Sequence, residues 1–167
     1  MGALELAREH EAEACYAVLE AGREFQKRQG FEQWTKTYPT LEIVKDDIRR
    51  GRGYVFRQDG AIAGYMCIDF DGEPAYAHIQ GQWHTREPYA VVHRMAFAAA
   101  FCGRGLSAEA FALIERLCLS RGVHSIRMDT DFPNLRMQHI LERQGFVRRG
   151  VIDFQGGTKL AYDKTLA

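Results

Sequence analysis

Apolar positions in the N-terminal third of the chain recur at two different spacings. Leu4 and Leu6 alternate with polar neighbours, which predicts a short first strand. From His10 to Gln29 the apolar residues recur every three or four positions, which predicts a helix. The segment LEIVKDDIRRG follows Thr40 and has the same spacing, so it predicts a short helix that Thr40 caps and Gly51 ends.

The middle of the chain has the patterns that are typical of strands. Asp59 and Gly60 separate two β-rich runs in GYVFRQDGAIAGYMCIDF, which predicts a tight hairpin. Residues 71–88 mix glycine, proline and aromatic residues, so we expect a strand end and a loop there. The following run, YAVVHRMAF at residues 89–97, predicts a buried strand.

The C-terminal half alternates strands and helices. Helical spacing predicts helices over Leu106–Arg121, stopped by Gly122, and over Asn134–Gln144, ended by Gly145. HSIRMDTD predicts a strand between them, and GFVRRGVIDF and TKLAYDK, joined by QGG, predict a closing hairpin. The order β-α-α-β-β-β-α-β-α-β-β predicts a single mixed α/β domain over residues 1–167 with one parallel strand pair.

Charge and cysteine content narrow the class of protein. The 167 residues contain 22 Lys and Arg and 22 Asp and Glu, a balance that argues against nucleic acid or an anionic membrane as a partner. No apolar run approaches the ~18 residues of a membrane-spanning helix, and the N-terminus carries charges where a signal peptide has its apolar core. The four cysteines are scattered without a C-x-x-C pair, so we expect a reduced cytoplasmic protein with no metal.

The stretch CGRGLS, residues 102–107, joins the predicted strand 89–97 to the helix that follows it. Glycine inside a helix costs about 1 kcal/mol relative to alanine, so two glycines at a helix start need a reason. A helix N-terminus offers unpaired N–H donors and partial positive charge, which favour an anion such as phosphate. The alternative is that Gly103 and Gly105 only permit a tight turn, and the loop alone leaves both interpretations open.

This loop and the segments after it resemble the GNAT superfamily of acyl-CoA-dependent N-acetyltransferases. The family loop Q/R-x-x-G-x-G/A places its required glycine at Gly105 and its second small residue at Ser107, whereas Cys102 stands where Gln or Arg is usual. SIRMDTDFPNLRMQHILERQGF resembles the family's next strand, its asparagine at a helix start and its closing Gly-Phe. GFEQWTKTYP and YAVVHRMA also resemble a group of small bacterial members.

The resemblance implies a fold, an acyl donor and a set of contacts. The fold would be a mostly antiparallel twisted sheet with a splayed parallel strand pair and flanking helices, and the acyl donor would be acetyl-CoA. The implied coenzyme-binding residues are Met95, Ala96, Phe97, Cys102, Gly103, Arg104, Gly105, Leu106, Ser107 and Asn134. Within this set, a backbone N–H of Met95–Phe97 would contact the thioester oxygen, and Asn134 would either bind the pantetheine arm or only cap its helix.

The implied reaction needs a base that takes a proton from the acceptor amine. His93 titrates near neutrality, and strand alternation places it on the same face as Phe97, although a histidine there is also typical of a hydrogen-bonded core residue. Glu73 is the second candidate, because it lies in the loop after the hairpin, where many family members keep acceptor-side acids. Asp69 and His78 are further candidates in that region.

The departing thiolate must also be reprotonated, and this chain departs from the family pattern at the residue for this step. Many members carry a tyrosine seven residues after the asparagine, a position that Leu141 occupies in this chain. Tyr89, Tyr76 or water would then supply the proton. Cys102 is a further candidate nucleophile, but the sequence names no base for it.

The sequence therefore predicts an N-acetyltransferase that moves an acetyl group from acetyl-CoA directly to the amine of a small molecule or peptide. The alternative is a catalytically weak GNAT-like module that binds or senses acyl-CoA. Leu141 and Cys102 leave room for this alternative, whereas His93 and Gly105 favour the enzyme. The closing hairpin offers an edge through which two copies could pair, so we also expect a possible homodimer.

Overall fold

The computed structural model describes residues 2–167, which contain eight strands and four α-helices. The strands are β1 (Ala3–Leu6), β2 (Gly53–Gln58), β3 (Ala61–Asp69), β4 (Gln80–Gly81), β5 (Ala90–Phe97), β6 (Ser125–Asp131), β7 (Val147–Phe154) and β8 (Gly157–Thr165). The helices are α1 (Ala12–Arg28), α2 (Leu41–Arg49), α3 (Leu106–Ser120) and α4 (Leu135–Arg143). Short 3₁₀ turns cover Glu9–Glu11, Pro74–His78 and Ala99–Phe101. The mixed α/β class and all four predicted helices are confirmed.

The chain forms two compact units. The first contains residues 1–68 and 93–113, and the second contains residues 69–92 and 114–167. The chain passes from one unit to the other inside β5 and again inside α3. The single domain predicted over residues 1–167 stays a prediction.

In the first unit, β1, β2 and β3 pair antiparallel, and the end of β5 follows β3 in the strand order. The turn between β2 and β3 has positive φ at both central residues, Asp59 (+53°) and Gly60 (+77°). Two successive left-handed residues match the right-handed twist of the flanking strands, which is why Asp-Gly favours this hairpin. The predicted hairpin is confirmed.

Helices α1 and α2 cover the strands of the first unit with one apolar face each. The shared core contains Cys15, Val18 and Leu19 from α1, Val44 and Ile48 from α2, and Val55, Tyr65 and Ala96 from the strands. Thr40 caps α2 as predicted, because its hydroxyl accepts a 3.2 Å hydrogen bond from the Ile43 amide. Gly22 brings α1 close to β5, since a Cβ at this position would lie 3.0 Å from the Ala96 Cβ.

The second unit contains a parallel strand pairing. The start of β5 pairs with β6 through Ala90–Ile126 and Val91–Arg127, and β6 then pairs antiparallel with β8 along its whole length. Strand β7 pairs with β8 and with the two-residue strand β4. The parallel pair and the closing hairpin are confirmed, and β6 continues beyond Arg127 without further pairing to β5 among the described residues.

The segment 71–88 contains more structure than the strand end and loop that we expected. Gln80 and Gly81 pair with β7, and the approach is so close that a Cβ on Gly81 would lie 2.2 Å from the Arg149 carbonyl oxygen. A two-residue strand has no periodicity to detect, so β4 is absent from the predicted element order. The element count rises from seven strands to eight for this reason.

The Arg127 side chain of the second unit packs against residues 83–89, the later part of the segment 71–88 and the residue after it. The Arg127 guanidinium lies 4.4 Å from the Trp83 ring centroid and 3.8 Å from that of Tyr89, and it donates a 2.7 Å hydrogen bond to the Thr85 carbonyl. Such cation–π contacts are strongest where the cation is shielded from water, and only 6% of Arg127 is exposed. The aromatic residues of this loop are therefore packed together.

No helix among residues 2–167 combines the length and the apolar character that crossing a bilayer requires.

Asp163 ties the same segment to β8, and its removal should weaken the second unit. Its buried carboxylate accepts 2.8 Å hydrogen bonds from the His84 amide and from Arg149 Nε. We expect Asp163→Asn to lower the free energy of unfolding by about 1–3 kcal/mol. The substitution replaces one carboxylate oxygen, an acceptor, by an NH₂ group, which would then face the N–H of His84 or Arg149 as a second donor. Urea denaturation measures this loss.

Asp153→Asn is the matched control on the neighbouring strand, because Asp153 is exposed and accepts one 3.2 Å hydrogen bond from Thr158. Its stability should stay within about 0.5 kcal/mol of the wild type. Equal losses in the two variants would show that Asp163 does not hold the segment.

Candidate functional site

The glycine loop lies in the first unit, between the end of β5 and the start of α3. Gly103 and Gly105 both have left-handed backbones, with φ of +75° and +72°. Apart from their chain neighbours, no heavy atom of residues 2–167 lies within 4 Å of the position that a Cβ would take at either residue. The left-handed conformation explains why both residues are glycine. The space around them leaves the backbone open to a ligand.

The N–H groups of this loop are available as donors. No backbone carbonyl within residues 2–167 accepts a hydrogen bond from the N–H of Gly103, Arg104 or Gly105. The amides of Leu106 and Ser107 belong to the first turn of α3, where helical N–H groups have no acceptor within the helix. Five successive donors at a helix start form a cradle that suits the oxygens of a diphosphate, so these residues fit the coenzyme that the sequence implies.

Side chains around the loop add to this arrangement. Arg104 is exposed, and its guanidinium lies 5.0 Å from the Phe101 ring centroid, where it can supply positive charge. The Cys102 thiol donates a 3.4 Å hydrogen bond to the Phe97 carbonyl, which fastens the loop to the end of β5. A backbone carbonyl is too weak a base to take the thiol proton, so this contact does not support a role of Cys102 as a nucleophile.

The Met95–Phe97 segment follows a break in the regular geometry of β5. Arg94 has a φ of +52°, a left-handed conformation that is uncommon for any residue with a side chain. Met95 and Ala96 are both buried although they are neighbours, and Phe97 is half-buried with its ring edge-on to Phe56. Alternation along the strand is therefore interrupted at Arg94.

This break removes the basis for placing His93 on the face of Phe97, because the two residues lie on opposite sides of Arg94. Burial and, to a smaller extent, the positive charges of Arg94 and Arg52 together lower the pKa of His93 to about 3. The imidazole is therefore neutral at physiological pH, and it is a weak base. His93 as the catalytic base stays a prediction, with the electrostatics of its surroundings against it.

The Arg94 side chain is held by a group of residues that the sequence did not single out. Its guanidinium donates to both carboxylate oxygens of Asp47, from Nη2 at 2.6 Å and from Nε at 3.0 Å, and to the Tyr38 hydroxyl at 2.9 Å. The Tyr65 hydroxyl donates a 2.8 Å hydrogen bond to the same carboxylate. We call these four residues, Asp47, Arg94, Tyr38 and Tyr65, the Asp47–Arg94 cluster.

The second unit contains a half-buried carboxylate, that of Asp129, which sequence reasoning missed. Asp129 lies on β6 two residues beyond the last parallel pairing with β5, and the Tyr76 hydroxyl donates a 2.6 Å hydrogen bond to its Oδ2. Burial raises the pKa of Asp129 to about 6, and the negative charges of Glu73 and Asp131 act in the same direction. The hydrogen bond from Tyr76 and the positive charge of Lys159 act against this rise.

A signal for Asp129 is present in the sequence. Arg127, Asp129 and Asp131 alternate along SIRMDTD and so share one face of a strand that belongs to a parallel pair. Charged side chains on a strand between two others need partners or a function. Arg127 stacks on aromatic rings, Asp131 forms an ion pair with Lys159, and Asp129 accepts its hydrogen bond from the neutral hydroxyl of Tyr76.

The structure places the predicted acceptor-side residues as follows. Glu73 begins the 3₁₀ turn, where its carboxylate accepts from the Ala75 amide at 3.4 Å, and its charge acts on Asp129. Asp69 accepts a 2.7 Å hydrogen bond from the Asp71 amide. His78 is exposed at the end of the turn. Of these three residues, Glu73 is the one whose charge raises the pKa of Asp129.

Asn134 immediately precedes α4, and Leu141 lies within this helix. The Asn134 Oδ1 accepts a 3.1 Å hydrogen bond from the Met137 amide, so this residue is an N-cap. The cap uses the oxygen of the side chain, and the contact with the pantetheine arm that the family implies stays a prediction. Leu141 is fully buried and packs in the core, so it offers no proton at the position of the family's tyrosine.

Among residues 2–167, no three histidine, cysteine, aspartate or glutamate side chains are grouped so that they could hold a metal ion.

Comparison with known proteins agrees with this geometry. Residues 19–146 match the model of the acetyltransferase (GNAT) family. A GNAT-family acetyltransferase from Streptococcus agalactiae is 30% identical, with a TM-score of 0.89 over 99% of this chain and 96% of that one. No curated protein matches the chain.

Two more distant structures share the fold. A GNAT-family acetyltransferase from Listeria monocytogenes is 22% identical, with a TM-score of 0.78 over 99% of this chain and 95% of that one. The aminoglycoside acetyltransferase AAC(6′)-Ib, in a complex with coenzyme A and kanamycin, is 21% identical, with a TM-score of 0.71 over 99% and 95%. Acetyl-CoA is the acyl donor of the family, which confirms the expected cosubstrate. The chain belongs to the GNAT family of acetyltransferases.

Proposed function

We propose that this protein is an N-acetyltransferase that moves an acetyl group from acetyl-CoA directly to the amine of a small molecule or peptide in the cytoplasm. The observation that carries the proposal is the open row of N–H donors from Gly103 to Ser107 at the start of α3, in a chain of the GNAT family. A small-molecule amine is also what the distant aminoglycoside acetyltransferase acts on. The expected homodimer stays a prediction.

The residues of the first unit would hold the acyl donor. The diphosphate would accept hydrogen bonds from the loop amides, and Arg104 would add positive charge beside it. A backbone N–H from Met95–Phe97 would donate to the thioester oxygen, on which negative charge develops as the amine attacks. The family resemblance also assigns Asn134 to the pantetheine arm, and this residue caps α4 through its side-chain oxygen.

Asp129 is a better candidate for the base than His93. A base works best when its pKa lies near the working pH, because it must be unprotonated and still hold a proton well. Burial brings the pKa of Asp129 to about 6 and takes that of His93 to about 3. Glu73, whose charge acts on Asp129, would help to attract the cationic amine, and the proton would pass from the amine nitrogen to the Asp129 carboxylate.

Tyr76 would keep Asp129 in place and would not itself titrate. Its buried hydroxyl donates to the carboxylate, and burial raises the pKa of Tyr76 well above its ordinary value, so the hydroxyl stays protonated. The departing thiolate would take its proton from water, because Leu141 has none to give. No tyrosine acts as a general acid in the proposed reaction.

Turnover with a panel of amines tests the proposed function. Release of the coenzyme A thiol should be detected when acetyl-CoA is mixed with at least one class of amine, and mass spectrometry should find the acetyl group on nitrogen. A protein that binds acetyl-CoA but releases no thiol with any amine would instead be the catalytically weak binding module.

Binding of acetyl-CoA should depend on Gly105. Saturation at ~100 times the dissociation constant stabilises a protein by roughly 2.7 kcal/mol, so acetyl-CoA should raise the melting temperature of the wild type clearly. We expect Gly105→Glu to abolish this rise, because its carboxylate would occupy the cradle and repel the diphosphate. Differential scanning fluorimetry with and without acetyl-CoA measures it.

Gly156→Glu is the matched control for the backbone. Gly156 also has a left-handed φ, +77°, with no atom within 4 Å of its Cβ position, but it lies in the hairpin turn between β7 and β8. The two variants should lose similar stability without ligand, and only Gly156→Glu should keep the rise with acetyl-CoA. A rise that persists in Gly105→Glu would show that the loop serves the turn alone.

The pH dependence should identify the base. If Asp129 takes the amine proton, kcat/KM should fall below an apparent pKa of about 6, and Asp129→Asn should lose most of the activity together with this acidic limb. The folded-state pKa of Asp129 lies above its ordinary value of 3.8, so ionisation of this group destabilises the fold. Wild-type stability relative to Asp129→Asn should therefore decrease as pH rises from about 4 to about 6.

His93→Gln is the comparison for this experiment. Since the pKa of His93 is lowered to about 3, a limb near pH 6 should persist in this variant. A limb that disappears in His93→Gln and persists in Asp129→Asn would return the role of base to the histidine.

A further inference from the structure

We propose that Asp47 is a positioning residue for acetyl transfer: by holding the Arg94 side chain, it fixes the turn in β5 that directs the N–H groups of Met95–Phe97. The inference rests on the proposed function, since it concerns the donors assigned to the thioester oxygen. Asp47 lies on α2, far from Arg94 in sequence, and both belong to the first unit.

The hydrogen bonds of the Asp47–Arg94 cluster fix the guanidinium in three directions. Two parallel donors meet the two carboxylate oxygens of Asp47, at 2.6 and 3.0 Å, and the third nitrogen meets the Tyr38 hydroxyl at 2.9 Å. Such a planar two-point contact sets the orientation of the side chain as well as its distance. The Tyr65 hydroxyl, at 2.8 Å, holds the carboxylate from another side.

The cluster is poorly accessible to a substrate. Each of the three guanidinium nitrogens of Arg94 donates to an acceptor within the cluster, and the side chains of Arg94 and Asp47 are only 13% and 6% exposed. A buried ion pair usually adds little stability over an apolar pair of the same size, so stability alone is a weak reason for placing one here. A geometric role fits the observations better.

That geometric role concerns the backbone of Arg94. A φ of +52° persists in a residue with a side chain only where the surroundings determine it, and the cluster provides this constraint. The segment after the turn is already packed from two directions: a Cβ at Gly22 would lie 3.0 Å from the Ala96 Cβ, and a Cβ at Gly64 would lie 3.1 Å from the Ala96 carbonyl oxygen. The direction in which the chain enters this segment therefore depends on Arg94.

Asp47→Asn tests the inference, because it keeps the shape of the side chain and removes the charge that holds Arg94. We expect kcat for acetyl transfer to fall on the order of 10- to 100-fold, the range that misplacing reacting groups or donors produces. The dissociation constant for acetyl-CoA, measured by calorimetry, should change by less than about threefold. The ¹⁵N amide signals of Met95–Phe97 should shift in the ligand-free protein.

The matched control is Glu11→Gln, which removes the charge from another partly buried ion pair of the first unit, with Arg57 at 2.6 Å. It should leave kcat within about twofold of the wild type and the three amide signals in place. If Asp47→Asn behaves like Glu11→Gln in both measurements, the inference is wrong and the proposed function stands.

Milder variants cover the case in which Asp47→Asn does not fold. Tyr65→Phe and Tyr38→Phe each remove one hydrogen bond of the cluster and keep the ion pair, so they should lower kcat by about two- to fivefold and shift the same amide signals. If both leave kcat and the signals unchanged, the inference is overturned.

Failure of the proposed function gives a different pattern. The wild type would then release no thiol with any amine, and the amide signals alone would decide whether Asp47 fixes the segment. Unchanged Met95–Phe97 signals in Asp47→Asn would overturn the positioning role in that case as well.

Discussion

The contact between Asp47 and Arg94 is the constraint on which the course of β5 depends. Holding a residue with a side chain in a sparsely populated backbone conformation costs about 1–3 kcal/mol. Arg94 has such a conformation, and the Asp47 carboxylate holds it there by accepting hydrogen bonds from two of its guanidinium nitrogens. At its start β5 belongs to the second unit and pairs with β6 through Ala90 and Val91, and from His93 onward the strand belongs to the first unit. The segment assigned to the acyl group begins directly after Arg94.

Burial acts on the two candidate bases in opposite directions. It penalises whichever form is charged, so it lowers the pKa of His93 and raises that of Asp129. The residue type that suggests a base in the sequence, histidine, thereby becomes a weaker one, and an ordinary aspartate gains proton affinity. Residue identity alone cannot show this, because the shift depends on neighbours that the chain brings together from distant positions.

The features predicted correctly are those that local chemistry determines. Asp59 and Gly60 form their hairpin turn, and Gly145 ends α4, because a left-handed backbone selects glycine or a few polar residues wherever it occurs. Strand β4, the turn at Arg94 and the pKa of Asp129 depend on pairing and burial between remote segments. The same reason applies to the face on which we expected His93. That expectation assumed a regular strand, and the left-handed backbone of Arg94 interrupts the strand one residue later.

The glycine loop also shows the difference between what local sequence determines and what only the structure reveals. The sequence is compatible both with a tight turn and with a ligand site there. The positive φ of Gly103 and Gly105 explains the residue type, as it does for Gly122 at the end of α3, and by itself favours neither interpretation. The difference lies in what the backbone offers. Gly122 donates its N–H to the Leu119 carbonyl, whereas the N–H groups of Gly103 and Gly105 meet no backbone carbonyl within residues 2–167 and stand at the positive end of a helix. A tight turn alone does not require such donors to stay open, and an anionic ligand does.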